Sequence, residues 1–390
     1  MVLRILVYLF VITQSVTFTS VTVMDRSVSI SWIAGVPLLF VYVLYSFGRV
    51  NRRVISPVLP TEVKLLLAFL LTSIVIEVAR YASGGMDASL RAETIQFIAT
   101  LGQILVMYYV LFDLMHDRGL LIGVIVSSLA TSIFLLIYTY AAGQGVLAES
   151  GRLSTQGVDA NWVGSVSTSL LTLAMLKLAH DSFRVSISNI VIAIAAGFLL
   201  VFLLLTGSRG ALVALVAGTI SVFALNRSPR RAVYYLAIIS VAIYFGSRET
   251  QKKEYLVTGR LGHAVTEYRS EQRLGLVLHG IEMFKKSPLV GYGVGYMRTI
   301  GEPFGVVSMV AHNVLVQTLV QSGVVAAAIL VIAFIVMFIR LLRSRKDFLT
   351  KYVFTLFVLL LVGSLFGNAY AKGYFITLAI INSVGVKGRE

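Results

Sequence analysis

Twelve stretches of the sequence are apolar over lengths suited to a bilayer, the last of them the weakest: residues 3–23, 29–48, 63–79, 94–112, 119–141, 161–179, 187–206, 210–226, 231–247, 310–340, 352–370 and 373–385. Crossing the hydrocarbon core takes about 20 apolar residues in a helix. Inside lipid every backbone N–H and C=O needs a partner within the protein, and a helix supplies one along its own length. These runs predict an all-α polytopic membrane protein with about 12 transmembrane helices and one large outer-face loop containing an amphipathic helix. Composition agrees, with 57% of residues hydrophobic and only 13% charged, where a soluble domain carries about a quarter charged. The interruption at 248–308 organises the chain: a bundle of nine spans over 1–247, the loop, and three closing spans over 309–390.

Retention of the first run as a helix fits its Thr/Ser-rich end, which lacks a small-residue cleavage site. Read instead as a signal peptide with Arg4 in its n-region, it would leave the orientation of the later spans unchanged. Orientation follows from Lys and Arg in the short connections. Arg49, Arg52, Arg53, Lys177, Arg184, Arg227, Arg230, Arg231, Arg340, Arg343, Arg345 and Lys346 fall on one side, which is therefore the cytoplasmic one. The 248–308 loop, the 142–160 connection and the Gly207-Ser208-Arg209-Gly210 turn then lie on the outer face.

The net charge of +15 does not point to nucleic acid, because its basic residues are dispersed between apolar runs, where they set topology and meet anionic headgroups. The chain has no cysteine, which removes disulfides, thiolate metal sites and a cysteine nucleophile together. No cofactor motif is present. Gly291-Tyr-Gly293-Val-Gly295 lacks the preceding strand and following helix of a dinucleotide fingerprint. For metal the sequence gives no site: Asp113, His116 and Asp117 share a short cytoplasmic loop and read as charges at a helix end.

Polar chemistry concentrates at the outward face. Arg209 stands where a helix begins, so its guanidinium and the free N–H groups of the first turn converge on one point, an arrangement that binds anions and phosphate above all. The bland alternative is an arginine snorkelling to the headgroups. Within the loop, Leu274, Val277, Leu278, Ile281 and Phe284 recur at helical spacing, predicting a surface helix ended by Pro288, with Arg273 beside the apolar stripe and His279 pointing away from it. His312 lies at the mouth of a span, placed to take a proton from, or to orient, a hydroxyl; interfacial hydrogen bonding is its alternative. Asn313, Gln317 and Gln321 continue it as a polar seam, either interhelical glue or the lining of a crevice. Arg260 in the loop and Arg152, Asp159, Asn161 and Trp162 before the sixth span complete the candidate binding groups, although charges in such runs are mostly a solvated face, and a cap and an interfacial belt residue account for Trp162.

Taken in order, the Gly-Ser-Arg-Gly turn at 207–210, the Arg273 helix with Ser287-Pro288-Leu-Val-Gly291-Tyr-Gly293, and Ala311-His312-Asn313 with Gly323 resemble the O-antigen ligase and polymerase superfamily of bacterial membrane glycosyltransferases. Asp159-Ala-Asn161-Trp162 departs from the Asn-Pro-Asn often found in the family. The resemblance implies a metal-independent transfer in which an undecaprenyl-diphosphate-linked glycan is the donor, Arg209 and Arg273 hold its diphosphate, and His312 assists attack by an acceptor hydroxyl. Asn313, Gln317, Arg260, Arg152 and Asn161 are the expected substrate-binding residues. Lipid A-core would be the acceptor for a ligase, and another lipid-linked glycan for a polymerase; the His312 motif reads closer to the ligase branch. A transporter or flippase is the rival from another class, and it would place ionisable residues near the bilayer midplane. Here Glu77 and Arg80 sit near an outer end and Lys177 near an inner one. A channel finds no filter-like ring in the sequence.

Overall fold

The structure is a computed structural model, describing residues 2–15, 20–23, 26–51, 59–84, 86–141, 160–180, 186–206, 208–226, 268–301, 303, 311–344, 347–365 and 372–384. Its helices are α1 (Val2–Ser15), α2 (Ile30–Asn51), α3 (Thr61–Ser83), α4 (Ala88–Leu114), α5 (Arg118–Ala141), α6 (Ala160–His180), α7 (Ile187–Thr206) and α8 (Arg209–Asn226), then α9 (Tyr268–Lys286), α10 (Tyr296–Gly301), α11 (Val314–Ser344), α12 (Phe348–Ser364) and α13 (Lys372–Ser383). The expected spans therefore appear as helices, except that 231–247 lies outside the described residues. Among the described residues three helices, Ala88–Leu114, Ile187–Leu204 and Val314–Ser344, are long and apolar enough to cross a membrane unaided.

The first run is helical over a shorter stretch than expected. Its helix stops at Ser15, and Ser20–Val23 pairs antiparallel with Arg26–Ser29 as β1 and β2. Alternating Val with Ser and Thr favours an extended ribbon over a helix, because β-branched side chains crowd a helical turn and fit a pleat.

Side-chain caps mark where helices begin. Asp87 accepts from the Leu90 N–H at 2.6 Å, Asp117 from Gly119 at 2.8 Å, Ser186 from Asn189 at 3.2 Å and Asp347 from Thr350 at 3.2 Å. Each satisfies a donor that the first helical turn cannot. Asp113, His116 and Asp117 likewise have helix-end tasks: Tyr42 donates to Asp113 at 3.1 Å, His116 Nδ1 lies 2.9 Å from the Phe112 carbonyl, and Asp117 pairs with Arg4.

The chain divides into two compact units, one of Met1–Ser128, Glu271–Arg343 and Ser364–Glu390, the other of Leu129–Ser270 and Ser344–Gly363. In the first, Phe375 of α13 stacks on Phe69 of α3 and meets Tyr108 of α4 edge-on. A buried polar chain joins the same helices: Arg340 of α11 pairs with Glu62 of α3 at 2.9 Å and donates to the Ile381 and Asn382 carbonyls of α13 at 3.0 Å. Asn382 in turn donates to Tyr108 at 2.8 Å. In the second unit α6 packs on α7 and α8, the Thr168 hydroxyl donating to the Ala211 carbonyl at 3.0 Å.

α11 is two helical segments joined at a kink. Gly323 takes φ 78°, ψ −178°, which breaks the ladder between Val320 and Val324. The two groups released are taken up from outside: Tyr292 N–H donates to the Val320 carbonyl at 2.6 Å, and Val324 N–H donates to the Pro288 carbonyl at 2.8 Å. The 288–292 turn is thus seated in the break.

Candidate functional site

In the second unit the geometry gathers at the start of α8. Ser208 is its cap, accepting the Leu212 N–H at 3.1 Å through its carbonyl, with its hydroxyl 3.4 Å from the Ala211 nitrogen. Arg209 is therefore the first residue of the helix, where unpaired N–H groups and the positive end of the dipole favour an anion. α6 approaches this turn closely. A Cβ on Gly164 would stand 2.9 Å from the Cβ atoms of Ser208 and Ala211, so only glycine lets the two elements meet. Asn161 stands on α6 one turn before Gly164.

In the first unit α9 crosses the first segment of α11. Gly280 faces Val316, where a Cβ would come within 2.9 Å of the valine Cγ1. Leu276 and Met283 of α9 join Tyr296, Ile300, Ala311, Val316 and Val320 in one apolar cluster. Leu276 and Ala311 belong to the same cluster, and Arg273 stands one turn before Leu276 on α9. The face buried is not the one the spacing suggested. Leu276, Val277, Gly280, Met283 and Phe284 pack inward, while Leu274, Leu278 and Ile281 remain exposed. The close glycine contact rotates the helix onto its flatter side. His279 accordingly does not point away, since its Nε2 is buried with no hydrogen-bond partner.

His312 has φ 49°, the one positive value at a non-glycine residue among those described. It sits between Ala311, which is buried, and Asn313, which caps α11. The Asn313 Oδ1 accepts from the N–H groups of Leu315 and Val316, both at 3.1 Å. This capping role was legible only as a polar residue before an apolar run. Gln317 and Gln321 are 2% and 1% exposed, their side chains 3.5 Å apart. The seam is interior to the protein, and α3 covers it.

α3 supplies the residues that the sequence left at the margin. Glu77 is 1% exposed, with the Arg80 guanidinium, the Gln321 side chain and the Val294 backbone as its polar neighbours. A Cβ on Gly293 would lie 2.8 Å from Glu77 Oε2, so the glycine lets the turn press onto the carboxylate. Arg80 donates to the carbonyls of Gly291 and Val290, clamping the turn from the side opposite α11. The available signal was an opposite-charge pair at i, i+3 inside an apolar run. Arg298 of α10 meets Glu93 at 2.6 Å and Ser89 at 2.9 Å on α4. Its hydrogen bond to Glu93 raises the guanidinium pKa further. The Leu90 N–H and Ser89 hydroxyl hold Asp87 below the ordinary carboxylate range.

Arg152 and Arg260 lie outside the described residues. Among the described residues no group of three or more His, Asp or Glu side chains gathers as metal ligands would.

A polytopic helical membrane protein with an arginine at one helix start and a left-handed histidine just before a broken helix is the class these features define. A family model described as O-antigen ligase matches residues 192–331, a stretch that includes Arg209, Arg273 and His312, so this part of the chain is similar to that family. No curated protein matches it in sequence.

Proposed function

We propose that the protein is a membrane glycosyltransferase of the O-antigen ligase type, moving a glycan from an undecaprenyl-diphosphate carrier to a lipid A-core hydroxyl at the periplasmic face. Arg209 and Arg273 hold the diphosphate. The acceptor oxygen attacks the anomeric carbon, the bond from that carbon to the phosphate oxygen breaks, and its electron pair leaves with the lipid diphosphate. His312 takes the hydroxyl proton. No metal enters the scheme, so transfer should persist in excess EDTA.

The observation that carries this reading is the backbone of His312. A left-handed histidine costs about 1–3 kcal/mol unless its surroundings impose it, and such residues cluster at active sites. Buried Ala311 before it and Asn313, committed to the α11 cap, after it hold the backbone on both sides. Arg209 at the start of α8 supports the anion site, with Asn161 one turn from the shared glycine contact. The arginines act most where charge develops on the leaving diphosphate, and removing one such group lowers the rate by about 100- to 1,000-fold. Arg152 and Arg260 add binding from the flanking outer segments. Gln317 supports the His312 turn from within, consistent with its burial.

The test is transfer by purified protein from a lipid-diphosphate-linked oligosaccharide, with a lipid A-core acceptor in one reaction and donor alone in another. Product dependent on the acceptor is expected; lengthened lipid-linked chains from donor alone would make the protein a polymerase. Arg209→Ala and His312→Ala should abolish transfer in folded protein. Near-normal turnover in Arg209→Ala, or greater damage from Asn313→Ala than from His312→Ala, would overturn the assigned roles.

A further inference from the structure

α9 has two apolar faces, and among the described residues one of them packs against the protein while the other is exposed. Leu276 is 1% exposed in the cluster with α11, whereas Leu274 is 60% exposed, Leu278 55% and Ile281 37%. These three recur at i, i+4 and i+7, a single stripe along the helix. The turn that follows continues it, with Leu289 65% and Val290 48% exposed.

The depth of that turn follows from α11. Val324 to Arg343 is a helix about 30 Å long at about 1.5 Å per residue, which is the thickness of the hydrocarbon core. Arg340 and Arg343 stand at its far end, so the break at Gly323 falls at the opposite hydrocarbon boundary. The 288–292 turn is bonded to Val320 and Val324 on either side of the break and shares that level. Val324 and Val325 are themselves exposed on the apolar flank of this span, continuous with Leu289 and Val290. Non-helical backbone persists at such depth only when its polar groups are satisfied. Here Gly291 O accepts from Ser287 and Arg80, and Tyr292 N–H and Pro288 O bond to α11. Lys285 and Lys286, in the last turn of α9, are exposed, as expected of cations placed near lipid phosphates.

We propose that α9 and its turn rest in the lipid leaflet on the His312 side, with Leu274, Leu278, Ile281, Leu289 and Val290 among acyl chains. The loop is thereby footed in the membrane. The lipid contact stands without the enzymatic reading; on that reading, it holds Arg273, next to Leu274, at the depth where a lipid-linked diphosphate lies.

The cysteine-free chain gives single labelling sites directly. Leu278→Cys and Leu289→Cys, with Lys286→Cys as reference, would each carry an environment-sensitive fluorophore in the full chain, reconstituted into phosphatidylethanolamine–phosphatidylglycerol vesicles. Labels at 278 and 289 should be quenched by nitroxides on acyl chains and shielded from aqueous iodide, with the reverse at 286. Iodide reaching 278 and 289 would overturn the proposal, and so would shielding from both quenchers, which means that protein covers the stripe. The unsubstituted protein gives a second measurement. A lipid with a photoactivatable acyl chain should label the 274–290 peptide as it labels α7, whose Ile187, Val191 and Ile194 are exposed. Labelling of α7 without labelling of 274–290 would also refute it.

Discussion

Replacing Gly323 by alanine sets two closures of the same backbone pair against each other. At φ 78°, ψ −178° an L-residue is strained by about 1–3 kcal/mol. The added Cβ would also overlap the Leu289 carbonyl oxygen and approach the Val290 nitrogen to 2.7 Å, so the turn must move. Moving it breaks the Tyr292–Val320 and Val324–Pro288 bonds, about 1 kcal/mol each. The alternative is a straight α11, in which Val324 N–H returns to the Val320 carbonyl and alanine gains about 1 kcal/mol over glycine. Strain and overlap penalise the seated turn, while the regained helical bond and propensity reward its release. The balance shifts toward release by roughly 2–4 kcal/mol, or about 30- to 1,000-fold in population. Hydrogen exchange in detergent reads this directly: the Tyr292 amide, buried in the break in the parent, should exchange faster in Gly323→Ala by a factor in that range, while α4 amides keep their protection. Unchanged protection at Tyr292 in a folded variant would refute the reasoning.

Two further outcomes test the frame around the site. Arg340→Met strands Glu62, which is 3% exposed, and should cost about 3–5 kcal/mol; thermal unfolding in detergent should show most of that loss recovered when Glu62→Gln is added, because no charge is then buried alone. Asp87 is held below its ordinary pKa, so its contribution to the α4 start is present above the ordinary Asp value of about 3.9 and is lost as pH falls through the depressed one. Exchange at the Leu90 amide should therefore accelerate only in that acid window, and Asp87→Asn should abolish the pH dependence.

The spans were legible because hydrocarbon thickness imposes a length, and most predicted runs differ from the helices by only a few residues. β1 was hidden at the end of an apolar run, where Val counts toward hydropathy whichever backbone it adopts, and β2 falls at the junction of that run and the next. Arg209, Arg273 and His312 stood out as polar residues at the edges of apolar segments. Their division between two compact units did not, because it depends on packing between distant segments. The seated turn was illegible for the same reason: Gly291, Gly293 and Gly323 read as flexible or permissive positions, and only tertiary contact shows what each one admits. The rotation of α9 reflects a choice between two apolar faces of similar strength, decided by Gly280 against Val316.

The polar chain Glu62–Arg340–Asn382–Tyr108 also has a consequence for biosynthesis. Its members are separated along the sequence, so Glu62 emerges long before Arg340, and at about 5–20 residues per second the wait is roughly 15 to 60 s. Through that interval α3 is in the membrane with an unpaired carboxylate, which lies at the helix start where it can stay among headgroups. Arrival of α11 neutralises it, and arrival of α13 gives Arg340 its carbonyl partners. The first unit therefore closes only once α11 and then α13 have arrived, and the packing of its earliest helices is completed by segments translated long after them.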